Sequence, residues 1–273
     1  MHEHESQPER ARGNWLVAVE GDQILGWATA NLTWQVASAD VADLWIAVRP
    51  DREGEGIGSE LFDRSETHLH ACGARKVTTY AFPASRGEQF AAARGFTTAR
   101  REQLFDIDLR AADLPPLSPP AGARIVRLAE VDDRVHELYE LFLTVEAGMP
   151  TDEPWTGSSF EEWKAEMWQK PHLDGETSVV ALVDGRAVAA SWLLVAGRFA
   201  EVEVTGTLPE FRRRGLARAC KLESMRLAAE RGVEQMVTGT DFENTGMLAL
   251  NGALGFRRIA VQLELTRSLE LDG

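Results

Sequence analysis

Four arginines crowd one short stretch of this chain. In "FRRRGLARACK", residues 211–221, Arg212, Arg213, Arg214 and Arg218 surround the run Gly215-Leu216-Ala217. A helix that starts here presents unpaired backbone N–H groups and the positive end of its dipole, a combination that holds anions. Minimal side chains at Gly215 and Ala217 let phosphates approach the backbone, and the guanidinium groups add charge around that cradle. The chemistry implied is a pyrophosphate seated on main-chain amides. From the residues alone, an arginine-rich turn that caps a helix and pairs with surface acids is an equally open reading.

A second set of groups lies just upstream. Glu201, Glu203 and Thr205 alternate, so they share one face of a strand. Two like charges on one face can raise one carboxyl's pKa, which suits a base. An acid on a solvated strand face is the alternative. No Gly-x-x-x-x-Gly-Lys-Ser/Thr occurs, which excludes a Walker phosphate loop, and "GEGIG" (54–58) is not Gly-x-Gly-x-x-Gly.

Patterning supplies the elements that must hold these groups. "AEVEVTGTLPEFRRRGLARACKLESMRLAAERG" (200–232) reads as strand, loop and helix. "VEQMVTGTD" is a strand, "ENTGMLALNGALGF" a helix ended by Gly255, and "RRIAVQLELTRSL" a last strand. Upstream, "ARIVRLAE" reads as a strand, and "DDRVHELYELFLTVE" (132–146) places Val135, Leu138, Leu141, Phe142 and Val145 at helical spacing. "SSFEEWKAEMWQK" (158–170) opens on a capping pattern, Ser159 with Glu162, and "TSVVALVDGRAVAASWLLV" is strand, Asp-Gly turn, strand.

The N-terminal half repeats the theme. "NWLVAVEGDQILGWATA" (14–30) is a hairpin, "DVADLWIAVRP" (40–50) a strand and "GIGSELFDRSETHLHACG" (56–73) a helix. "ARKVTTYAF" is a strand, "GEQFAAARGF" a short helix, and "TTARREQLFDIDL" (97–109) closes the half with strands. Pro50 and Pro209, and Gly56 and Gly215, stand 159 apart; Gly95 and Gly255 stand 160 apart. Between the halves, "RAADLPPLSPPAGAR" (110–124) holds four of the eleven prolines and reads as a linker. This is duplication of a whole domain: residues 1–110, a linker at 111–122, and residues 123–273. The first copy is expected to be shortened at its front, with about 13 residues before its hairpin against about 55 in the second.

Composition narrows the class. With 273 residues, 44% hydrophobic and 26% charged, the chain suits one large or two ordinary domains. A net charge of −14 argues against nucleic acid as partner, since phosphate contact needs a basic face. A local cation cluster on an acidic protein suits a small anionic ligand. No apolar run spans a bilayer and the start lacks a secretory core, so no membrane and a cytoplasmic location are expected. Cys72 and Cys220 make neither a disulfide framework nor a metal site, and Cys220 reads as a buried small hydrophobe. His2 and His4 read as a disordered terminus, with no metal expected. Trp155, Trp163, Trp168 and Trp192 read mostly as core. The stretch 146–157, with Asp152 and Glu153, is the plausible acceptor-facing loop for a cationic amine.

"VTGTLPEFRRRGLARACK" together with "TGTDFENTGMLALNGALGFRR" resembles the GNAT N-acetyltransferase superfamily. It is most similar to the tandem-domain, mycothiol synthase-like members common in actinobacteria. The resemblance covers nearly the whole chain. It implies an α/β (α+β) fold of two GNAT-like domains, each a mixed, mostly antiparallel sheet flanked by helices. It further implies acetyl-CoA as co-substrate and acetyl transfer to a primary amine of a small molecule, in a monomer or homodimer. Arg212-Arg213-Arg214-Gly215-Leu216-Ala217 matches the family's pyrophosphate loop. Asn244, Met247, Leu248, Ala249, Asn251, Leu254, Gly255 and Phe256 match its segment along the pantetheine arm. Thr205, Gly206 and Thr207 fall on the splayed strand end whose amides hold the pantetheine, and Glu201 or Glu203 falls where the family places a carboxylate for the amine. Helix capping is the second reading for Asp241 and Asn244. Asn251 stands where many relatives have a tyrosine that protonates the thiolate, so the thiolate is expected to leave unassisted or to take a proton from water.

The N-terminal loop, "RPDREGEGIGSELF", carries Glu53 and Glu55 in place of cations. A carboxylate about 5 Å from a phosphate charge costs about 3 kcal/mol at an effective dielectric near 20. The first domain is therefore expected to be degenerate and non-catalytic, a support for the second. The competing expectation for the whole chain is a GNAT-like module that binds acyl-CoA without catalysis.

Overall fold

The computed structural model describes residues 7–149 and 154–269. His2, His4, Asp152 and Glu153 lie outside them. The N-terminal half runs β1 (Asn14–Glu20), β2 (Gln23–Leu32), β3 (Val41–Val48), α1 (Ile57–Ala71), β4 (Lys76–Ala81), α2 (Arg86–Ala92) and β5 (Thr97–Asp108). The C-terminal half runs β6 (Ala123–Arg127), α3 (Val135–Glu146), α4 (Phe160–Trp163), β7 (Val179–Val183), β8 (Arg186–Ala196), β9 (Phe199–Thr207), α5 (Leu216–Glu230), β10 (Gln235–Asp241), α6 (Thr245–Ala253) and β11 (Arg257–Ser268).

Local sequence accounts for most boundaries. The capping pattern before α4 is realised: Ser159 Oγ accepts from the Glu162 N–H while the Glu162 carboxylate accepts from the Ser159 N–H. The expected helix over 158–170 is two pieces, however, with α4 passing into a π-helical turn at Lys164–Trp168. α3 buries Leu138, Leu141, Phe142 and Val145, the stripe its spacing predicts. The two related loops share geometry as well as sequence. Each has a 3-10 turn, Pro50–Arg52 and Pro209–Phe211, and each long helix starts on a left-handed glycine, Gly56 at φ 88° and Gly215 at φ 81°.

The two sheets that the resemblance implies are joined into one. Eleven strands follow the order β1-β2-β3-β4-β11-β5-β10-β9-β8-β7-β6, with parallel pairing only at β3–β4 and β9–β10. The last strands of the two halves are exchanged. β11 lies antiparallel to β4, and β5 lies antiparallel to β10; β5 and β11 then pair with each other along the middle. The cores follow the exchange. Phe105, Ile107 and Leu109 from β5 and its end pack with Leu193, Leu222, Met225 and Met236 of the C-terminal half. Leu263 and Leu265 of β11 pack with Leu44, Phe62 and Val77 of the N-terminal half.

Candidate active site

The site begins where two parallel strands separate. β9 pairs with β10 only from Gln235↔Phe199 to Val237↔Glu201, while β8 stays paired to β9 out to Ala189↔Thr207. β10 instead keeps its bonds to β5, out to Asp241↔Glu102. From Val202 onward, the edge of β9 that faced β10 is free of strand partners. A split with unpaired main-chain groups therefore opens toward α5.

At the mouth of the split sits the arginine loop. The first helical bond of α5 is Ala219 N–H to Gly215 C=O, which leaves the Leu216, Ala217 and Arg218 amides without an intrahelical acceptor. Those amides border a groove of about 330 Å³ whose walls include Thr205, Gly206, Thr207, Arg212, Arg213, Gly215, Leu216, Ala217, Arg218 and Asn244. Gly206 is there because α3 crosses so close that any Cβ would overlap Val145. Arg213 itself is left-handed, at φ 63°, which turns the chain into the cradle. Among the described residues no carboxylate pairs with Arg212, Arg213, Arg214 or Arg218. Arg212 Nε instead donates to the Thr207 carbonyl at 3.2 Å. Arg214 turns aside: it donates to the Glu210 carbonyl at 3.1 Å and stacks 4.9 Å from the Phe211 ring centre, off the groove wall.

The groove meets a larger cavity, about 780 Å³, at Met149, Thr205, Asn244 and Met247, which line both. Glu201, Glu203 and Thr205 line this cavity together, as their alternation predicts. Its far wall takes Glu102, Arg100 and Arg101 on the exchanged β5, and Trp45 and Tyr80, from the N-terminal half, with Glu264 on β11 from the C-terminal half. Glu203 Oε1 accepts from Lys170 Nζ at 2.8 Å. Among the described residues Glu201 has no ion pair; burial first, and the Glu203 charge second, raise its pKa above the ordinary carboxyl value, with the Lys170 charge pulling it back. Glu102 is raised likewise, by burial and then by Asp241 and Glu201. The Arg100 guanidinium is 2.7 Å from Asp241 Oδ2.

Two groups here were not legible as functional in the sequence. Glu146, the last residue of α3, faces Glu203 in a side cavity of about 330 Å³ shared with Trp34, Trp155 and Lys170. Burial, and then the Glu203 charge, push its carboxyl up to about 7. Lys221, on the buried face of α5, lines the large cavity. In sequence it is one more basic residue on a basic helix, and no spacing marks it. Cys220 beside it is buried, with its thiol pushed up to about 12 by desolvation, an inert packing group as expected.

Asn251 requires a correction. Expected against the cofactor, it is fully buried and absent from the walls of the groove and the cavity. Its Oδ1 accepts from Lys221 and its Nδ2 donates to Thr240 Oγ1 at 3.0 Å. α6 turns that face inward, so the side chain reaches the lysine and not the groove. Asn244 both lines the groove and caps α6, its Oδ1 accepting from the Met247 N–H at 3.1 Å.

The charge argument on the N-terminal loop is also revised. Glu53 meets Arg86 at 3.1 Å, and Arg52 bridges Glu55 at 2.9 Å and Glu20 at 3.0 Å. The two acids are neutralised locally, and the bare-carboxylate repulsion overstates their effect. The matching groove, about 630 Å³, is instead walled by Leu44, Ile46, Phe62, Phe90 and Phe96.

Comparison with known proteins places the chain. A family model described as "Acetyltransferase (GNAT) family" matches residues 1–96, and one described as "Acetyltransferase (GNAT) domain" matches residues 120–244. A mycothiol acetyltransferase of Thermobispora bispora is 28% identical over 95% of this chain and 85% of the relative. The mycothiol acetyltransferase of Amycolatopsis mediterranei is 26% identical over 93% of this chain and 84% of its own length. Among solved structures, a GCN5-related N-acetyltransferase from Sphaerobacter thermophilus superposes with a TM-score of 0.73 at 20% identity, covering 93% of this chain and 80% of that one. A tandem GNAT protein from the clavulanic acid biosynthesis pathway superposes at 0.71 with 19% identity, covering 94% and 82%.

Proposed function

Because the chain belongs to the GNAT acetyltransferase family, it is an acetyl-CoA-dependent N-acetyltransferase, and we propose that it works where the arginine groove meets the interdomain cavity. The observation that carries this reading is the set of unpaired arginines over free amides at the head of α5, opening onto Glu201 and Glu203. The diphosphate of acetyl-CoA sits on the Leu216–Arg218 amides with Arg212, Arg213 and Arg218 around it. The pantetheine arm then runs along the free edge of β9 past Thr205, Gly206 and Thr207. The thioester arrives at the junction walled by Thr205, Asn244 and Met247.

The acceptor is a small primary amine held in the cavity between the halves. Glu201 takes its proton, directly or through a water, because burial and the Glu203 charge raise its pKa toward that of a base, although the Lys170 charge acts the other way. Glu203, held by Lys170, lies beside the path of the incoming amine. The relatives' printed name makes the amine precursor of mycothiol the acceptor to try first. The N-terminal domain supports and does not catalyse. Where the second domain has Lys221 the first has Phe62, 159 positions earlier and buried in its core, and the register of β3 against β4 sets Asp43, which accepts from Thr33, at the place of Glu201.

Calorimetric titration with acetyl-CoA, alongside thiol release with a panel of primary amines, tests the assignment. One strong site per chain is expected, weakened about a hundredfold or more by Arg212→Glu. Two equivalent sites, or binding indifferent to Arg212→Glu, would move the cofactor elsewhere.

A further inference from the structure

Lys221 is 1% exposed, yet it carries an amine into the split where β9 and β10 part. Its Nζ donates to Asn251 Oδ1 at 2.6 Å and to Thr238 Oγ1 at 3.4 Å, and lies 4.8 Å from the centre of the Phe256 ring. Thr238 is the first β10 residue beyond the last β9–β10 pair, Val237↔Glu201, so the amine sits at the base of the opening. Among the described residues no carboxylate pairs with it. The Asn251 amide is in turn oriented by Thr240, which fixes its oxygen toward the lysine. A buried ammonium without a counter-ion is costly, and two neutral acceptors do not repay that cost. Nothing in the packing requires a lysine here.

We propose that the Lys221 ammonium, aimed by Asn251, protonates the coenzyme A thiolate as it leaves. This rests on placing the acetyl donor along the arginine groove, since that path brings the sulfur to the cavity Lys221 lines. The amine nitrogen attacks the thioester carbonyl carbon and a C–N bond forms. The C–S bond breaks, its electron pair leaves on sulfur, and the Nζ proton passes to sulfur to give the free thiol. An acceptor that enters as ammonium gives one proton to Glu201 and on to solvent before attack, the proton its nitrogen loses on becoming an amide follows the same route, and the neutral Lys221 amine regains one from solvent. No oxidation state changes.

The electrostatics support the role. Burial alone lowers the Lys221 pKa to about 7. A thiol ordinarily ionises at about 8.5, so burial makes the ammonium the stronger acid of the two. The other charged groups on the cavity walls are Glu201 and Glu203 on β9, Glu102, Arg100 and Arg101 on β5, Asp241 on β10 and Glu264 on β11. From α6 Lys221 meets the neutral Asn251, and beyond that helix the Phe256 ring.

The test needs no acceptor. Free coenzyme A bound to the full chain is titrated by its thiolate ultraviolet absorbance, in wild type and in Lys221→Met, with far-ultraviolet circular dichroism to confirm that the variant is folded. Below about pH 7, where Lys221 is still charged, bound coenzyme A should show more thiolate in wild type than in Lys221→Met, and the difference should fade as the lysine loses its proton. In turnover with ethanolamine or glucosamine, Lys221→Met should slow thiol release about a hundredfold and lose the alkaline fall near pH 7. Equal thiol ionisation in the two proteins overturns the role of Lys221 while leaving the groove assignment intact, because coenzyme A still binds. Failure of wild type to bind coenzyme A, or binding unchanged by Arg212→Glu, overturns the groove assignment and this role with it.

Discussion

At the scale of single residues, the site divides into groups that hold charge and groups that move protons. Arg212, Arg213 and Arg218 keep their charge free for a ligand because no acid among the described residues meets them. Glu201 and Glu203 were legible from alternation alone, but the sequence could not rank them. Lys170 ties Glu203 into an ion pair, while burial and the Glu203 charge raise the Glu201 pKa against the pull of Lys170, and on that ground Glu201 is the proposed base. A base must be ionised, so kcat/KM should fall on the acid side through a pKa above the usual 4.5, and Glu201→Gln should remove that limb with a loss of about a hundredfold. A pH–rate profile checks it; an unchanged limb in Glu201→Gln would place the base elsewhere. Glu146 allows a stability measurement. Its folded pKa, raised to about 7, favours the protonated form, so its penalty is absent below the ordinary 4.5 and complete above about 7. Glu146→Gln should therefore stabilise the protein at pH 8, on the order of 2 kcal/mol, and change little at pH 4. Denaturant unfolding at the two pH values distinguishes this from a packing effect, which would not depend on pH.

At the scale of elements, the geometry rests on three contacts. α5 starts on left-handed Gly215, which aims its free amides at the groove. α3 crosses β9 at Gly206, and its far end brings Glu146 and Val145 against the site. Replacing Gly206 by Ala forces a methyl into Val145 and should cost about 1–3 kcal/mol. Adding Val145→Ala should recover part of that loss, and a double-mutant cycle by thermal unfolding reads the coupling. The third contact is the segment after β2. Gln35 C=O accepts from the Thr156 N–H at 2.7 Å, and the Ala37 N–H donates to the Pro154 carbonyl at 2.9 Å. The N-terminal half thus pins one end of the segment expected to face the acceptor. The sequence pattern placed α3 and the start of α5 to within a few residues, because glycines and apolar spacing are local, and it made no reading of the segment after β2. It did not show that α3 touches β9, because nothing in the helix pattern names its partner.

At the scale of the whole molecule, exchanged strands make the halves interdependent. Each core lacks a wall without the other's last strand, so residues 1–110 and 111–273 expressed separately should fail to give a cooperative unfolding transition. Co-expression should restore one, as measured by circular dichroism after co-purification. Two independently stable halves would mean that the exchange is not required. The described helices include none long and apolar enough to cross a membrane. By itself the sequence determined the duplication, the arginine run at the head of a helix and the facing glutamates; the loops and the glutamates are each written in residues close along the chain, and the duplication in their repeat at a fixed spacing. Tertiary structure alone decided that Glu102 enters the site on a borrowed strand, that Asn251 serves Lys221, and that arginines quiet Glu53 and Glu55. Those facts depend on which distant surfaces meet. Long-range pairing, burial and the pKa shifts that burial causes are properties of the packed molecule, and no local pattern carries them.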